Sequence, residues 1–498
     1  MTNQPNILLI VSDEERRTDW LKGAVSLPAH DRLTRDGLSF ERYYTHTSPC
    51  SPSRASLYTG RYLPAHGVVD NVSFPEHVAL DPAIPTIGSM LRESGYRSAY
   101  VGKWHLSHGE HPDMGAYGYE GWQGNDRHFT GSPWTGRHFD PEIAGQAVEW
   151  MQTQAVRSTT PWFLTVALVN PHDVMWYPID QPWYRDEHPK EADALRQMMA
   201  MWMGDFAPAP LDVDYPRRFH NLPANFDDDL HTKPEIQRAW RWVRNREHLV
   251  GAMDHGETNM WLRQLDYYAW LHERLDESLA IVLNGLDSIG AYDDTVIILT
   301  SDHGDACGSH GLRAKLPCVY EEVMGVPLIV KAPGLTRPRT STNALATHVD
   351  LATTIASLGT RNEVADRPKM QGKDLTPVLA QPDATVRDYV LFAQDSAQST
   401  LLRNSRYAVR GYFDGTTKYA RYYGIGGGIP RTGTEGNETG TKLFGPDSAF
   451  DDQDHEWYDH VTDTDELVNL AHDRSRRDEL RDIHARLLSY EQAEFRER

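Results

Sequence analysis

Short apolar runs rich in Val, Ile and Leu recur at Asn6–Val11, Ser98–Val101, Trp162–Val169, Thr295–Thr300 and Val326–Lys331. Amphipathic stretches of helical length lie between them, among them Pro85–Ser94, Glu142–Ala155, Leu262–Leu286 and Asp350–Leu358. That alternation predicts an α/β fold: a large, mainly parallel sheet flanked by helices. Gly285 and Gly290 stop the long helix ahead of the strand at Thr295. From Pro178 to Trp261 the pattern fails, and the chain becomes rich in Trp, Met and Pro (Trp183, Met198, Met199, Trp202, Trp240, Trp242). We expect an insertion with some helix, ordered by its aromatic content. After about Pro382 come short alternating strands at Tyr389–Phe392, Tyr407–Phe413 and Thr417–Tyr423, a Gly-rich loop from Gly424 to Gly440, and a charged helix from Ser475 to Glu494. Gly424-Ile425-Gly426 opens no helix, so the loop is not a dinucleotide cradle. The expected organisation is an α/β unit at 1–381, with the insertion at 178–261, and a smaller α+β subdomain at 382–498.

Lys and Arg number 50 against 71 Asp and Glu, a net charge of −21. That excludes nucleic acid and anionic membranes as main partners, and an anionic substrate would need positive charge gathered locally. The odd set Cys50, Cys307 and Cys318 builds no disulfide framework. No apolar run approaches the roughly 18 residues of a membrane span. The opening MTNQPNILLIVSD carries no secretory pattern, so the expected location is cytoplasmic.

Polar or cationic residues follow four of the strands: Asp13 and Glu14, Lys103 and His105, His172 and Asp173, Asp302 and His303. The carboxyl ends of parallel strands share the edge where ligands bind, so these residues are expected to converge. One such Asp is ordinary turn or cap chemistry. Gathered together, the carboxylates demand a cation, and the Lys and His groups an anion. Asp13, Asp302 and His303 would supply oxygen and nitrogen to a divalent metal. Oxygen-rich ligation suits Ca²⁺, Mg²⁺ or Mn²⁺, and the single imidazole tilts toward Mn²⁺; Ca²⁺ is the expectation carried forward, with Mn²⁺ or Mg²⁺ as alternatives. A zinc protease is disfavoured, because no His-Glu-x-x-His helix is present.

Cys50 is flanked by Pro49 and Pro52, with a helix expected from an N-cap at Ser53 and Arg54 one turn on. Such a place would lower the thiol pKa and favour anions. The run Cys50-Ser51-Pro52-Ser53-Arg54, followed by Leu57-x-Thr59-Gly60-Arg61, resembles the type I (formylglycine-dependent) sulfatase motif of the alkaline phosphatase superfamily. Asn6–Asp13, Gly102-Lys103-Trp104-His105, Asn170-Pro171-His172-Asp173, Ser301-Asp302-His303-Gly304-Asp305, His310-Gly311-Leu312 with Lys315, Val326–Val330 and the late Glu456–Asp459 and Glu466–Leu470 resemble further blocks of that family.

The resemblance implies an arylsulfatase-like sulfuric ester hydrolase. Cys50 would be converted by a maturation enzyme to formylglycine (3-oxoalanine), whose hydrated form attacks sulfur. Asp13, Glu14, Asp302, His303 and residue 50 would hold the metal. Lys103, His172 and Lys315 would balance charge, His105 would act as base, and Arg54 would orient the diol. Glu14 stands where many sulfatases carry Asp, and His303 where they carry Asn. The Asp-His pair resembles a branch with choline sulfatases and phosphonate monoester hydrolases. Choline sulfatases have a longer tail after the Asn-Leu motif, which disfavours that substrate, and bulky polyanionic glycans would call for more basic surface than this composition offers, so small aryl or alkyl sulfates are the expected substrates. The alternatives are a phosphonate or phosphate ester hydrolase, or a non-catalytic metal- or anion-binding relative. Asp305, His310 and Arg313 are supporting candidates, and Asp70-Asn71 either touches substrate or forms a turn. Cys307 and Cys318 are bystanders, and the tryptophans from Trp176 to Trp270 are core and lid packing in preference to an aryl-binding wall. Self-association is left open.

Overall fold

The computed structural model describes residues 4–495 apart from residues 22, 74, 361–369, 403–404, 425–434, 437–441 and 444. The central sheet comprises β1 (Asn6–Asp13), β2 (Leu38–Phe40), β3 (Arg97–Gly102), β4 (Trp162–Pro171), β5 (Thr295–Ser301), β6 (Leu328–Lys331) and β7 (Thr340–Thr342). Their order is β3-β4-β1-β5-β6-β2-β7. β1 lies inside the sheet, with Ile7 opposite Phe163 on one side and Val296 on the other, both pairings parallel. β6 alone of the seven runs against its neighbours β5 and β2. β1, β4 and β5 are buried almost throughout, which is why their sequences are continuously apolar rather than alternating.

Alternate side chains of β1 feed two cores. Leu8 and Ile10 pack with residues of α2 (Thr135–Trp150) and α3 (Thr258–Ser288), such as Ile143, Ala147, Leu271 and Leu275. Ile7, Leu9 and Val11 pack with α1 (Cys50–Thr59) and α4 (His348–Thr360) through Ala55, Leu57, Leu351 and Ile355. Each fully buried aliphatic side chain contributes about 1.5–3 kcal/mol, so the strand that carries Asp13 is held rigidly from both faces.

A second, wholly antiparallel sheet follows, in the order β8 (Val390–Gln394), β9 (Ala408–Phe413), β10 (Thr417–Tyr423) and β11 (Asp454–Asp459). The terminal helix α5 (Arg477–Glu494) covers it by packing Leu480, Ile483 and Leu487 on Leu391, Tyr412, Tyr419 and Trp457. The insertion carries helices at Pro189–Met203 and Glu235–Arg244. The expected strand at Val326–Lys331 begins at Leu328, past Pro327, which has no N–H to donate. The expected Glu142–Ala155 helix begins earlier, at Thr135, and ends in a π turn over Met151–Ala155. The Gly-rich loop at Gly424–Gly440 lies almost entirely outside the described residues. Among the described residues no helix is long and apolar enough to cross a membrane.

Candidate active site

The carboxyl ends of β1, β3, β4 and β5 meet at one sheet edge, and α1 reaches that edge with its first residue. Cys50 Sγ lies 3.7 Å from Asp13 Oδ1 and 3.2 Å from His303 Nε2. With Asp302, these side chains bring their donor atoms within 4.8 Å of one another, all buried. Ligands on opposite sides of one Ca²⁺ stand up to about 5 Å apart, so the group has the span of a single ion. His303 Nδ1 sits 3.0 Å from the Gly304 carbonyl; donation there leaves the Nε2 lone pair facing the cluster. Two carboxylates and an imidazole, with position 50 beside them, fit a divalent metal by their chemistry.

Cations answer the carboxylates. Arg54 donates from Nη2 to Asp13 Oδ2, from Nε to Asp302 Oδ2 and from Nη1 to the Lys103 carbonyl, each at 2.9 Å. The Lys103 ammonium also contacts the Asp13 carboxylate. Burial opposes ionisation of Asp13, but Lys103 and Arg54 outweigh it and hold the carboxyl well below its usual range. Glu14 lies outside the four-donor group. Its Oε2 accepts from Lys315 Nζ at 2.6 Å and stands 3.5 Å from His172 Nε2. Its Oε1 is buried without a hydrogen-bond partner among the described residues. Burial lifts the Glu14 carboxyl well above its usual range, against the pull of Lys315.

Burial, then Lys103, holds His105 far below the usual histidine range; burial, then Lys315, does the same for His172. Neither ring nitrogen of His105 has a hydrogen-bond partner among the described residues. Glu14 and His105 adopt left-handed backbone, with φ of 68° and 57°. Such non-glycine residues cost on the order of 1–3 kcal/mol and cluster at functional sites.

Two expectations about α1 are corrected. The helix begins at Cys50 with Pro49 as its cap, not at an N-cap on Ser53; Pro52 falls in the first turn, where its missing N–H leaves no bond unmade. The Cys50 thiol is not lowered: burial, reinforced by Asp13, pushes its pKa up. Asp173 turns away to cap α2, accepting from the amides of Gly136 at 3.2 Å and Arg137 at 3.0 Å. His310 pairs with Asp228 at 2.8 Å and stacks on Tyr320, and Arg313 donates to the carbonyls of Tyr177 and Gly251. Asp305 accepts from the Cys307 amide at 2.6 Å. Asn71 Oδ1 accepts from the Ser51 amide at 3.0 Å, bracing the start of α1. Cys307 and Cys318 are buried free thiols. Trp240 and Trp261 are core, whereas Trp242 is 60 % exposed.

His348 carried no local signal. Its Nδ1 stands 3.1 Å from Ser53 Oγ and its Nε2 3.0 Å from the Ser301 carbonyl, while Ser53 Oγ donates to the Asp302 carbonyl. It ties α1 to the end of β5. Asp126 and Gly131, described below, were equally silent.

The family model described as Sulfatase matches residues 5–360. The chain is 26% identical to the uncharacterized sulfatase YidJ of Escherichia coli (strain K12), over 71% of this chain and 68% of that protein. It is 25% identical to the N-acetylglucosamine-6-O-sulfatase of Bacteroides thetaiotaomicron, covering 78% and 73%. The phosphonate monoester hydrolase of Silicibacter pomeroyi superposes with a TM-score of 0.68 at 20% identity, over 99% of this chain and 96% of that one, and so shares the fold. With that match across most of its length, and a sheet edge gathering these acids, bases and Cys50, the chain belongs to the Sulfatase family.

Proposed function

We propose that the protein hydrolyses a sulfate monoester of a small aryl or alkyl alcohol, with residue 50 as nucleophile after conversion of Cys50 to formylglycine. The family generally uses formylglycine and a divalent metal. Here Asp13, Asp302, His303 and residue 50 would hold the ion, with Glu14 near enough to add an oxygen, and Ca²⁺ is our first choice over Mn²⁺ or Mg²⁺. When bound, the ion and the hydrated aldehyde supply Lewis acidity and a hydroxyl nucleophile. The observation that carries the reading is the position of Cys50, 3.7 Å from Asp13 and 3.2 Å from His303, within a ring of cations and open imidazoles.

The remaining steps fall to the chain. Arg54 fixes both ligand carboxylates from one guanidinium. Lys103 and Lys315 place positive charge where sulfuryl oxygens develop negative charge, in a water-poor site that strengthens it. His172, beside Glu14, holds a proton within reach of the leaving oxygen. His105, with both ring nitrogens open, takes one up.

A second reading is a phosphonate monoester hydrolase, favoured by His303 in the ligand set. Protein co-produced with a maturation enzyme would separate the two. The peptide containing residue 50 should lose roughly 18 Da on conversion of CH₂SH to CHO, and the matured protein should turn over p-nitrophenyl sulfate faster than p-nitrophenyl phenylphosphonate. Cys50→Ala should abolish turnover with the fold intact. The reverse preference establishes the second reading, and substantial activity in Cys50→Ala refutes the nucleophile.

A further inference from the structure

Lys103, His105 and His172 come from the ends of two strands, yet one short turn touches all three. Asp126 is buried, and its carboxylate caps backbone amides of the strand end. Trp104 N–H donates to Oδ1 at 3.0 Å, and His105 N–H reaches Oδ1 at 3.1 Å and Oδ2 at 2.9 Å. These bonds secure His105 in its left-handed backbone at φ 57°. Four residues on, the Thr130 carbonyl accepts from Lys103 Nζ at 3.0 Å. Gly131 then lies flat against His172: a Cβ there would stand 2.4 Å from ring atoms Cε1 and Nδ1, and its φ of +99° also favours glycine. Trp176 braces the contact by donating from Nε1 to the Gly131 carbonyl at 2.7 Å.

Neither nitrogen of His105 and not Nδ1 of His172 has a hydrogen-bond partner among the described residues. A ring so sparsely bonded keeps its angle through the backbone that carries it and the surface it leans on. The turn supplies both. We propose that residues 126–131 form a positioning element for the reaction, in which Asp126 sets His105 and Gly131, braced by Trp176, sets His172, with neither Asp126 nor Gly131 touching substrate. The inference rests on the hydrolase reading and assigns it two positioning residues.

Gly131→Ala should lower kcat about 100-fold, the scale of a 1 Å misplacement, and leave KM nearly unchanged. Asp126→Asn should lower it about tenfold, the scale of one lost charge-assisted bond. Each loss should vanish when its target is absent: Gly131→Ala costs nothing further in His172→Ala, and Asp126→Asn nothing further in His105→Ala, while the crossed pairs multiply. Trp176→Phe, which removes a single donor, provides a second, milder variant with the same dependence on His172. Histidine-ring ¹⁵N–¹H spectra of unmatured protein give a readout free of turnover. Gly131→Ala should move the His172 resonances alone, and Asp126→Asn those of His105 alone. Equal losses in the Ala backgrounds, or unmoved ring resonances, overturn the assignment. Moved resonances in a matured protein that cleaves no ester would instead sink the hydrolase reading and leave the positioning intact.

Discussion

Replacing Arg54 by Met tests the electrostatics of the centre. The guanidinium is fully buried and stands 2.9 Å from both Asp13 and Asp302. Met fills similar space without charge, so two interior carboxylates would remain, of which Asp13 keeps the Lys103 ammonium. Removing one partner of a buried pair costs about 3–5 kcal/mol, and two pairs sharing one guanidinium do not add fully. Unfolding entropy of about 2.1 cal/mol/K per residue gives this 498-residue chain about 1 kcal/mol per kelvin. A loss of about 4 kcal/mol therefore lowers Tm by about 4 °C in chelator. A divalent ion reaches the same two carboxylates, so adding Ca²⁺ or Mn²⁺ should raise the Tm of Arg54→Met by more than it raises the parent. Scanning calorimetry with EDTA and with each metal measures both effects. A variant melting within about 1 °C of the parent in EDTA, or gaining no more from metal, refutes the reasoning.

His303→Ala should keep the fold and weaken metal binding about tenfold or more; unchanged metal content by plasma mass spectrometry removes His303 from the ligand set. His30 is clasped between Glu15 at 3.2 Å and Asp276 at 2.6 Å, which overcome burial and push its pKa up to about 10. Because that exceeds the unfolded value of about 6.5, its stabilisation is complete below the unfolded value and fades as pH climbs through the folded one. Urea melts of His30→Gln should show a cost of about 3 kcal/mol at pH 6 and a smaller one at pH 10, and equal costs would contradict the linkage. Lys418 on β10 is buried against Glu321 and lies 2.6 Å from Glu466. Lys418→Met should destabilise by about 3 kcal/mol in thermal melts, and an unaltered melt would deny that these ion pairs fasten the second sheet.

The sheet was legible wherever both faces are covered, because β1, β4 and β5 then read as unbroken apolar runs. β2 and β7 are three residues each and leave no such trace, and β11 mixes Asp454, His455 and Glu456 with its aromatics. Asp13, Glu14, Lys103, His105, His172, Asp302 and His303 announced themselves because each ends or follows a strand, and strand ends share an edge whatever their separation in sequence. Their supports did not. Asp126 acts on amides 21 and 22 residues upstream, Gly131 works by lacking a side chain, and His348 joins α1 to β5 across some 295 and 47 positions. None of these leaves a local pattern. The thiol of Cys50 was misjudged for a related reason: a helix start and a nearby Arg are visible in sequence, but complete burial beside Asp13 is not.

Every residue from Tyr43 to Gly60 is buried, and this has a consequence for timing. No macromolecular catalyst can grip a helix already enclosed on all sides. Any enzyme that oxidises Cys50 must meet the segment while it is still an open strand of nascent polypeptide, before the sheet closes over it. If Cys50 is matured as we propose, chains that finish folding first would keep their thiol for as long as they stay folded, and the yield of matured protein would be decided as a race during biosynthesis.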